Sequence, residues 1–308
     1  DRLIVGLNTG TLRIYRLNEL PDEKEYDCKF DNGDKSSSTH RAIDLLREVE
    51  KFSTKTIEQL AIIKESNILI SLSNSCIFIH DLQSFTLQEQ LTRTRGASTF
   101  AITSNIIKDV ATGIPEIVSR LAVSVKRKLL IWTWYESEME SDVVEINMTE
   151  PIRTLQWVSA TKVLCGIGPG YSIVDIISKS VQVVHGPGTR GGVNNTTGRL
   201  SSVGTVSMGY MGLGGYISKP LATKLKDEEI LIVKDINTAF ISSEGQTLRK
   251  KQIAWQQAPE AIGYSYPYIL TLQSPSQSKL EVRNPETLSL LQSISLPNAK
   301  QLHIPPPT

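Results

Sequence analysis

Short runs of β-branched and other apolar residues recur along the chain, each followed by a tight polar turn and a second run in which apolar and polar positions alternate. This is the pattern of β-hairpins. Leu3-Ile4-Val5-Gly6 turns through Asn8-Thr9-Gly10 into Thr11-Leu12-Arg13-Ile14-Tyr15. The clearest copy is Ile68-Leu69-Ile70-Ser71-Leu72, which turns through Ser73-Asn74-Ser75 into Cys76-Ile77-Phe78-Ile79-His80; a corner beginning at Asp81-Leu82 then leads to a third strand, Thr86 to Leu91. Further copies start at Leu121, Val163, Ile230 and Ile269. Third strands are expected at Val143 to Ile146, Val181 to Val184 and Leu288 to Ile294.

The six starting residues, Leu3, Ile68, Leu121, Val163, Ile230 and Ile269, are separated by 65, 53, 42, 67 and 39 positions. The shorter steps match a four-stranded propeller blade of about 40 to 50 residues. The strand still missing from each blade fits the apolar stretches just upstream, at Ile57 to Ile63, Ser98 to Thr103, Ile152 to Val158, Pro220 to Leu225 and Glu260 to Tyr264. Six hairpins plus one blade shared between the termini predict an all-β, WD40-like propeller of about seven four-stranded blades, forming one domain over residues 1–308. Closure removes the unpaired sheet edges that an open array would leave. Residues of the native protein are expected beyond both ends, which makes this chain an N-terminal fragment.

The longer steps mark loop insertions at about residues 21–50 and 186–219. Pro21 to Glu50 carries nine acids against five bases, and Ala42-Ile43-Leu45-Leu46-Val49 inside it suits either a short helix or a corner strand. Gly186 to Lys226 holds half of the chain's 20 glycines, five bases and no acid. Such a segment is expected to be long, flexible and locally positive.

Composition narrows the chemistry. Lys and Arg number 33 against 32 Asp and Glu, a net charge of +1, so the broad positive field of a nucleic-acid binder is missing. At 40% hydrophobic and 21% charged residues the chain has ample core, and no apolar run reaches the length of a membrane-spanning helix. Cys28, Cys76 and Cys165 form no C-x-x-C pair and read as reduced thiols, two of them in the core. His40, His80, His185 and His303 are too scattered to suggest a metal site, and no cofactor is expected. Gly186-Pro187-Gly188-Thr189-Arg190-Gly191 matches G-x-G-x-x-G, but no helix can plausibly open there, and the next acid is Asp227. A dinucleotide site needs both. The acids Glu136, Glu138, Glu140 and Asp142 follow a strand as a solvated corner, and a central-channel enzyme finds no constellation to work with. No catalytic residue is assigned.

Two features suit recognition. Lys126-Arg127-Lys128 sits at a hairpin tip, exposed by geometry, where it can meet a carboxylate-rich partner surface or anionic lipid headgroups. Tyr210-Met211-Gly212-Leu213-Gly214-Gly215-Tyr216 sets aromatic and flexible apolar side chains among glycines, a composition suited either to adaptable docking or to a blade's own strand. The partner-binding candidates are therefore Lys126, Arg127, Lys128, Tyr210, Met211, Leu213 and Tyr216. Trp132, Trp134, Trp157 and Trp255 lie on or beside strands and are expected to pack between blades.

Several segments carry a family resemblance. Lys51-Phe52-Ser53-Thr54-Lys55-Thr56-Ile57-Glu58-Gln59-Leu60, Ile79-His80-Asp81-Leu82, Arg95-Gly96-Ala97-Ser98-Thr99-Phe100 and Ala122-Val123-Ser124-Val125-Lys126-Arg127-Lys128-Leu129 resemble the citron-homology (CNH) propellers of the vacuolar sorting tethers, subunits of the HOPS complex. So do the first hairpin and Ile68 to Leu72. The motifs that carry the likeness lie within about residues 1–135, and the related tether of the early-endosomal CORVET complex shares them. The resemblance implies a non-catalytic propeller that recognises a GTP-loaded late-endosomal or vacuolar Rab GTPase and meets other HOPS subunits through regions outside this chain. It also implies a cytoplasmic protein, peripheral on vacuole, lysosome and late-endosome membranes. The alternative is a propeller that binds anionic membrane through its basic tips.

Overall fold

The computed structural model describes residues 2–18, 43–108, 113–136, 138–168, 170–184, 219–253, 255–273, 278–297, 299 and 302. The chain divides into two compact units, Asp1–Ala97 and Ser98–Thr308. In the first, β1 (Arg2–Gly6), β2 (Leu12–Leu17) and β3 (Ile43–Val49) form a three-stranded sheet, while β4 (Ile57–Ile63), β5 (Ile68–Ser73), β6 (Cys76–Asp81) and β7 (Leu87–Leu91) form one of four. The second unit begins with β8 (Ala97–Lys108), β9 (Pro115–Val125) and β10 (Lys128–Tyr135), with β11 (Glu138–Met139) and β12 (Val144–Asn147) both paired to β10. Three four-stranded sheets follow. They are β13 (Ile152–Trp157), β14 (Lys162–Ile167), β15 (Tyr171–Asp175) and β16 (Val181–Val184); β17 (Leu221–Lys224), β18 (Ile230–Lys234), β19 (Asn237–Ile241) and β20 (Thr247–Arg249); and β21 (Ala261–Ser265), β22 (Tyr268–Leu272), β23 (Lys279–Arg283) and β24 (Leu290–Ser295).

Each sheet is antiparallel, and apart from β12, which pairs with β10, each is a meander of strands consecutive in sequence, the order of a propeller blade. The described residues form six sheets, not about seven. The expected blade shared between the termini is not among them: β21 to β24 complete a sheet of four by themselves, and the first hairpin takes its third strand from Ile43–Val49. That third strand also settles the ambiguous stretch inside the 21–50 insertion. Positions 42, 45, 46 and 49 have helical spacing, but pairing with β2, from Leu12↔Val49 to Leu17↔Ile43, imposes the extended state. The five upstream stretches expected to supply missing strands are β4, β8, β13, β17 and β21.

Burial grades across each sheet. All six residues of β5 are buried, as are the last eight of β9 and six of the eight in β10, the middle strands of their sheets. The outermost strands are largely wet, and β24 is exposed throughout. In the second unit the core runs sheet to sheet. Leu129, Ile131, Leu155 and Trp157 fill the space between the β8–β12 and β13–β16 sheets; Ile173, Val184, Ile232 and Ile241 fill the next; Phe240, Trp255 and Ile269 the last. All four tryptophans are buried, in keeping with packing. Trp157 also donates its indole N–H to the Ala101 carbonyl at 3.0 Å, fastening β13 to β8.

The corner between third and fourth strands repeats a six-residue device. Asp81 Oδ1 accepts from the amides of Gln83 and Ser84, Asp175 Oδ1 from those of Ile177 and Ser178, and Asn284 Oδ1 from those of Glu286 and Thr287. The fifth residue takes a left-handed backbone (Phe85 φ 64°, Lys179 φ 56°, Leu288 φ 63°), and hydroxyls at the fourth and sixth positions pair at 2.8–2.9 Å. An Asp or Asn, then two Ser/Thr residues at offsets three and five, thus closes three corners locally. Amide donors from Ser84 and Ser178 hold the Asp81 and Asp175 carboxyls below the usual carboxylate range.

Candidate functional site

Lys126 and Arg127 form the two-residue turn between β9 and β10, where Val125 pairs with Lys128 and Lys126 adopts a left-handed backbone (φ 55°). The tip is anchored from below: the Met148 amide donates to the Arg127 carbonyl at 2.8 Å. All three side chains are exposed, yet they are not equivalent. Lys128 is paired with Glu145 on the adjacent strand β12, which neutralises its charge locally. Among the described residues Lys126 and Arg127 pair with no carboxylate, so the available positive charge is theirs.

Tyr210, Met211, Leu213 and Tyr216 lie outside the described residues, as does the Gly186 to Gly191 motif. The strands that flank them are described. Val184 lies across from Tyr171, itself paired with Gly166, which puts the end of β16 beside the turn joining β14 to β15. Leu221 faces Val233, itself paired with Thr238, so β17 starts beside the turn joining β18 to β19. Residues 185–218 therefore leave and rejoin the fold at the second-to-third-strand turns of two successive sheets. The Lys126–Arg127 turn occupies the corresponding end of the sheet before them.

Other candidate chemistry resolves into structure. Glu136, Glu138, Glu140 and Asp142 are exposed. Cys76 and Cys165 are buried free thiols, and burial pushes the Cys165 thiol up, which keeps it protonated. Among the described residues no group of three His, Cys, Asp or Glu side chains is placed to hold a metal ion, and no helix is long and apolar enough to cross a membrane.

Sequence reasoning missed a cavity of about 370 Å³ in the first unit, between its two sheets. Phe52, Phe78, Phe85 and Leu87 line it, with Ser71 of β5 and His80 of β6 in its wall. The His80 ring is 3% exposed and stacks on Phe52 at 4.1 Å between centroids. Burial lowers its pKa to about 4, against a weaker opposing hydrogen bond with the Leu69 backbone. A base whose folded pKa lies below its unfolded value takes up more protons when unfolded, so stability is full at neutral pH and declines as pH falls from about 6.5 towards 4. Between pH 7 and pH 5 this ring is expected to remove about 2 kcal/mol of stability. Urea unfolding at both pH values, compared with His80→Phe, reads the difference as a shallower decline in the variant; equal declines would refute it.

A CNH domain family model matches residues 3–304. The chain belongs to the CNH domain family. Its fold is a β-propeller with the six sheets as blades, and the solved AfRom2 CNH domain shares it with a TM-score of 0.53, at 16% identity over 98% of this chain and 86% of that one. Among characterised proteins, this CNH chain is 25% identical over 294 residues to the Vam6/Vps39-like protein of Homo sapiens, covering 96% of the chain and 29% of that protein. Vacuolar morphogenesis protein 6 of Schizosaccharomyces pombe is 21% identical over 285 residues, covering 92% and 28%. Vacuolar sorting protein 39 of Arabidopsis thaliana is 23% identical over 302 residues, covering 98% and 25%. The CNH chain thus spans under a third of the length of these relatives, and the likeness runs through the second unit as well as the first.

Proposed function

We propose that residues 1–308 act as the non-catalytic CNH propeller of a vacuolar-sorting tether subunit of the HOPS type, and that this propeller recognises the GTP-loaded form of a late-endosomal or vacuolar Rab GTPase. The vacuolar names of the relatives support the vacuolar over the early-endosomal reading. The observation that carries the recognition step is the shared end of the second unit. Two unpaired basic side chains, Lys126 and Arg127, stand at the same end of their sheet as the two attachment points of an acid-free, glycine-rich segment. A cluster of like charge next to the attachment points of a basic, acid-free segment suits a protein surface that changes with nucleotide state, because order in the GTPase switch segments depends on the γ-phosphate. The protein would act from the cytoplasm, peripheral on vacuole and late-endosome membranes, with other HOPS subunits meeting regions outside this chain.

The test is capture of the purified GTPase loaded with a non-hydrolysable GTP analogue or with GDP. The reading expects at least about tenfold preference for the GTP form, the size of a modest two-state discrimination. Equal capture of both forms, or none, overturns it. The same basic pair favours a second reading, contact with anionic lipid, which predicts co-sedimentation with acidic liposomes that fades as salt rises.

A further inference from the structure

Two polar atoms buried in the first unit have no hydrogen-bond partner in the protein, Ser71 Oγ and His80 Nδ1, and both residues line the cavity between its sheets. Ser71 is 1% exposed and His80 3%. They belong to neighbouring strands, where Ser71 pairs with Phe78 and Leu69 with His80, so the two side chains lie on the same face of the β4–β7 sheet. A buried hydroxyl and a buried ring nitrogen left without partners are costly, and native folds rarely tolerate two in one place without something to satisfy them.

The walls say what that something is. Phe52, Phe78 and Phe85 surround the space with aromatic faces and edges, and Leu87 adds an aliphatic side. The charged residues of the lining, Glu50 and Lys51, are opposite in sign and exposed, so no buried charge is present to match an ion. Nδ1 has no partner in the protein, and a neutral imidazole that carries its proton on Nε2 presents Nδ1 as a bare lone pair. Nδ1 is then an acceptor, while Ser71 Oγ offers a donor. A hydroxyl is the smallest group that both donates and accepts. At about 370 Å³ the cavity is at the small end of ligand sites, with room for a single substituted ring.

We propose that this cavity is a binding site for an uncharged aromatic ring bearing a hydroxyl, the chemistry of a phenol or of a tyrosine side chain. The ring packs among Phe52, Phe78 and Phe85; its hydroxyl donates to His80 Nδ1 and accepts from Ser71.

Chemical-shift titration of the isotope-labelled chain at pH 7 tests this with p-cresol, and with toluene as the same ring lacking the hydroxyl. p-Cresol is expected to move the His80 ring and Phe52 signals and to bind at least about fivefold more tightly than toluene, the worth of one hydrogen bond. Ser71→Ala is expected to remove about fivefold of that affinity for p-cresol and to leave toluene unchanged. Because the bound hydroxyl favours neutral His80, p-cresol affinity should also fall as pH drops towards 4. N-acetyl-tyrosinamide separates the sources: binding by it as well as by p-cresol points to a tyrosine of a partner segment, and binding by p-cresol alone to a free phenol. Equal affinity for p-cresol and toluene, or no shift at His80 because water alone satisfies the two atoms, overturns the proposal. The wild-type comparison of p-cresol with toluene stands even where a variant fails to fold.

Discussion

Replacing Gly10 by valine is expected to lower the stability of the first unit by about 3–5 kcal/mol, through backbone strain and displaced hydrogen bonds together. Gly10 sits in the turn between β1 and β2 at φ +83°, and a Cβ there would lie 2.1 Å from the Ser53 carbonyl oxygen. That carbonyl cannot retreat freely. The Ser53 amide donates to Gly10 O at 2.9 Å, the Ile57 amide donates to Leu7 O at 3.1 Å, and the Thr56 hydroxyl donates to Asn8 O at 3.1 Å. The turn and the connection from β3 to β4 are therefore fastened face to face, and a side chain at Gly10 separates them. Gly113→Ala is the control, since Gly113 also has a left-handed backbone (φ +71°) but nothing within 4 Å of its built Cβ. Its cost should be about 1 kcal/mol, the conformational part alone. Urea unfolding of both variants reads the contrast. Similar midpoints would show that close approach at Gly10 contributes little.

The double substitution Lys126→Glu and Arg127→Glu is expected to weaken capture of the GTP-loaded GTPase by at least about tenfold at low salt, with the gap narrowing as salt rises. Exposed turn side chains contribute little to folding, so the melting temperature should stay close to that of the unaltered chain. Lys179→Glu is the matched control. It reverses an exposed base in the corner after β15, and Asp175 at that corner pairs with Lys162, far along the strands from the β14–β15 turn. It should leave capture unchanged. Lys128→Glu is predicted to be milder than either partner, because Lys128 is already paired with Glu145. Capture indifferent to the Lys126/Arg127 reversal would move the recognition surface away from this turn.

The hairpins were legible because their chemistry is local. In Ile68 to His80, two apolar runs flank Ser73-Asn74-Ser75, and Asn74 and Ser75 take the left-handed backbone of a tight turn (φ 52° and 54°). The stretch from Ala42 to Val49 was not, because its apolar spacing serves either period. Pairing with β2 decides it, and Leu45 and Leu46 remain exposed in the result. Strands β11 and β20, two and three residues long, are too short to show a period at all. The corners were legible in principle: Asp81, Asp175 and Asn284 each precede Ser or Thr at offsets three and five, a repeat hidden by the unlike residues between.

The candidate site was legible only as composition. Three adjacent bases at a hairpin tip can be read from sequence, but the neutralisation of Lys128 comes from a carboxylate 17 positions away, placed there by the ladder between β10 and β12. The cavity was not legible at all. Ser71, Phe78 and His80 share one face of the β5–β6 hairpin, but Phe52 and Phe85 come from separate connections, and no spacing along the chain announces that they converge.

The meander order also sets the tempo of assembly. Among the described residues most strand pairs join neighbours linked by a short turn or corner, and closing such short connections costs little entropy. In the first unit β2 and β3 differ: residues 18–42 divide them, and the entropy of closing that span grows with its length. Within the first unit, β3 is accordingly expected to dock last during folding and to detach first under local unfolding, a transient opening of the wall that carries Val49 beside Phe52.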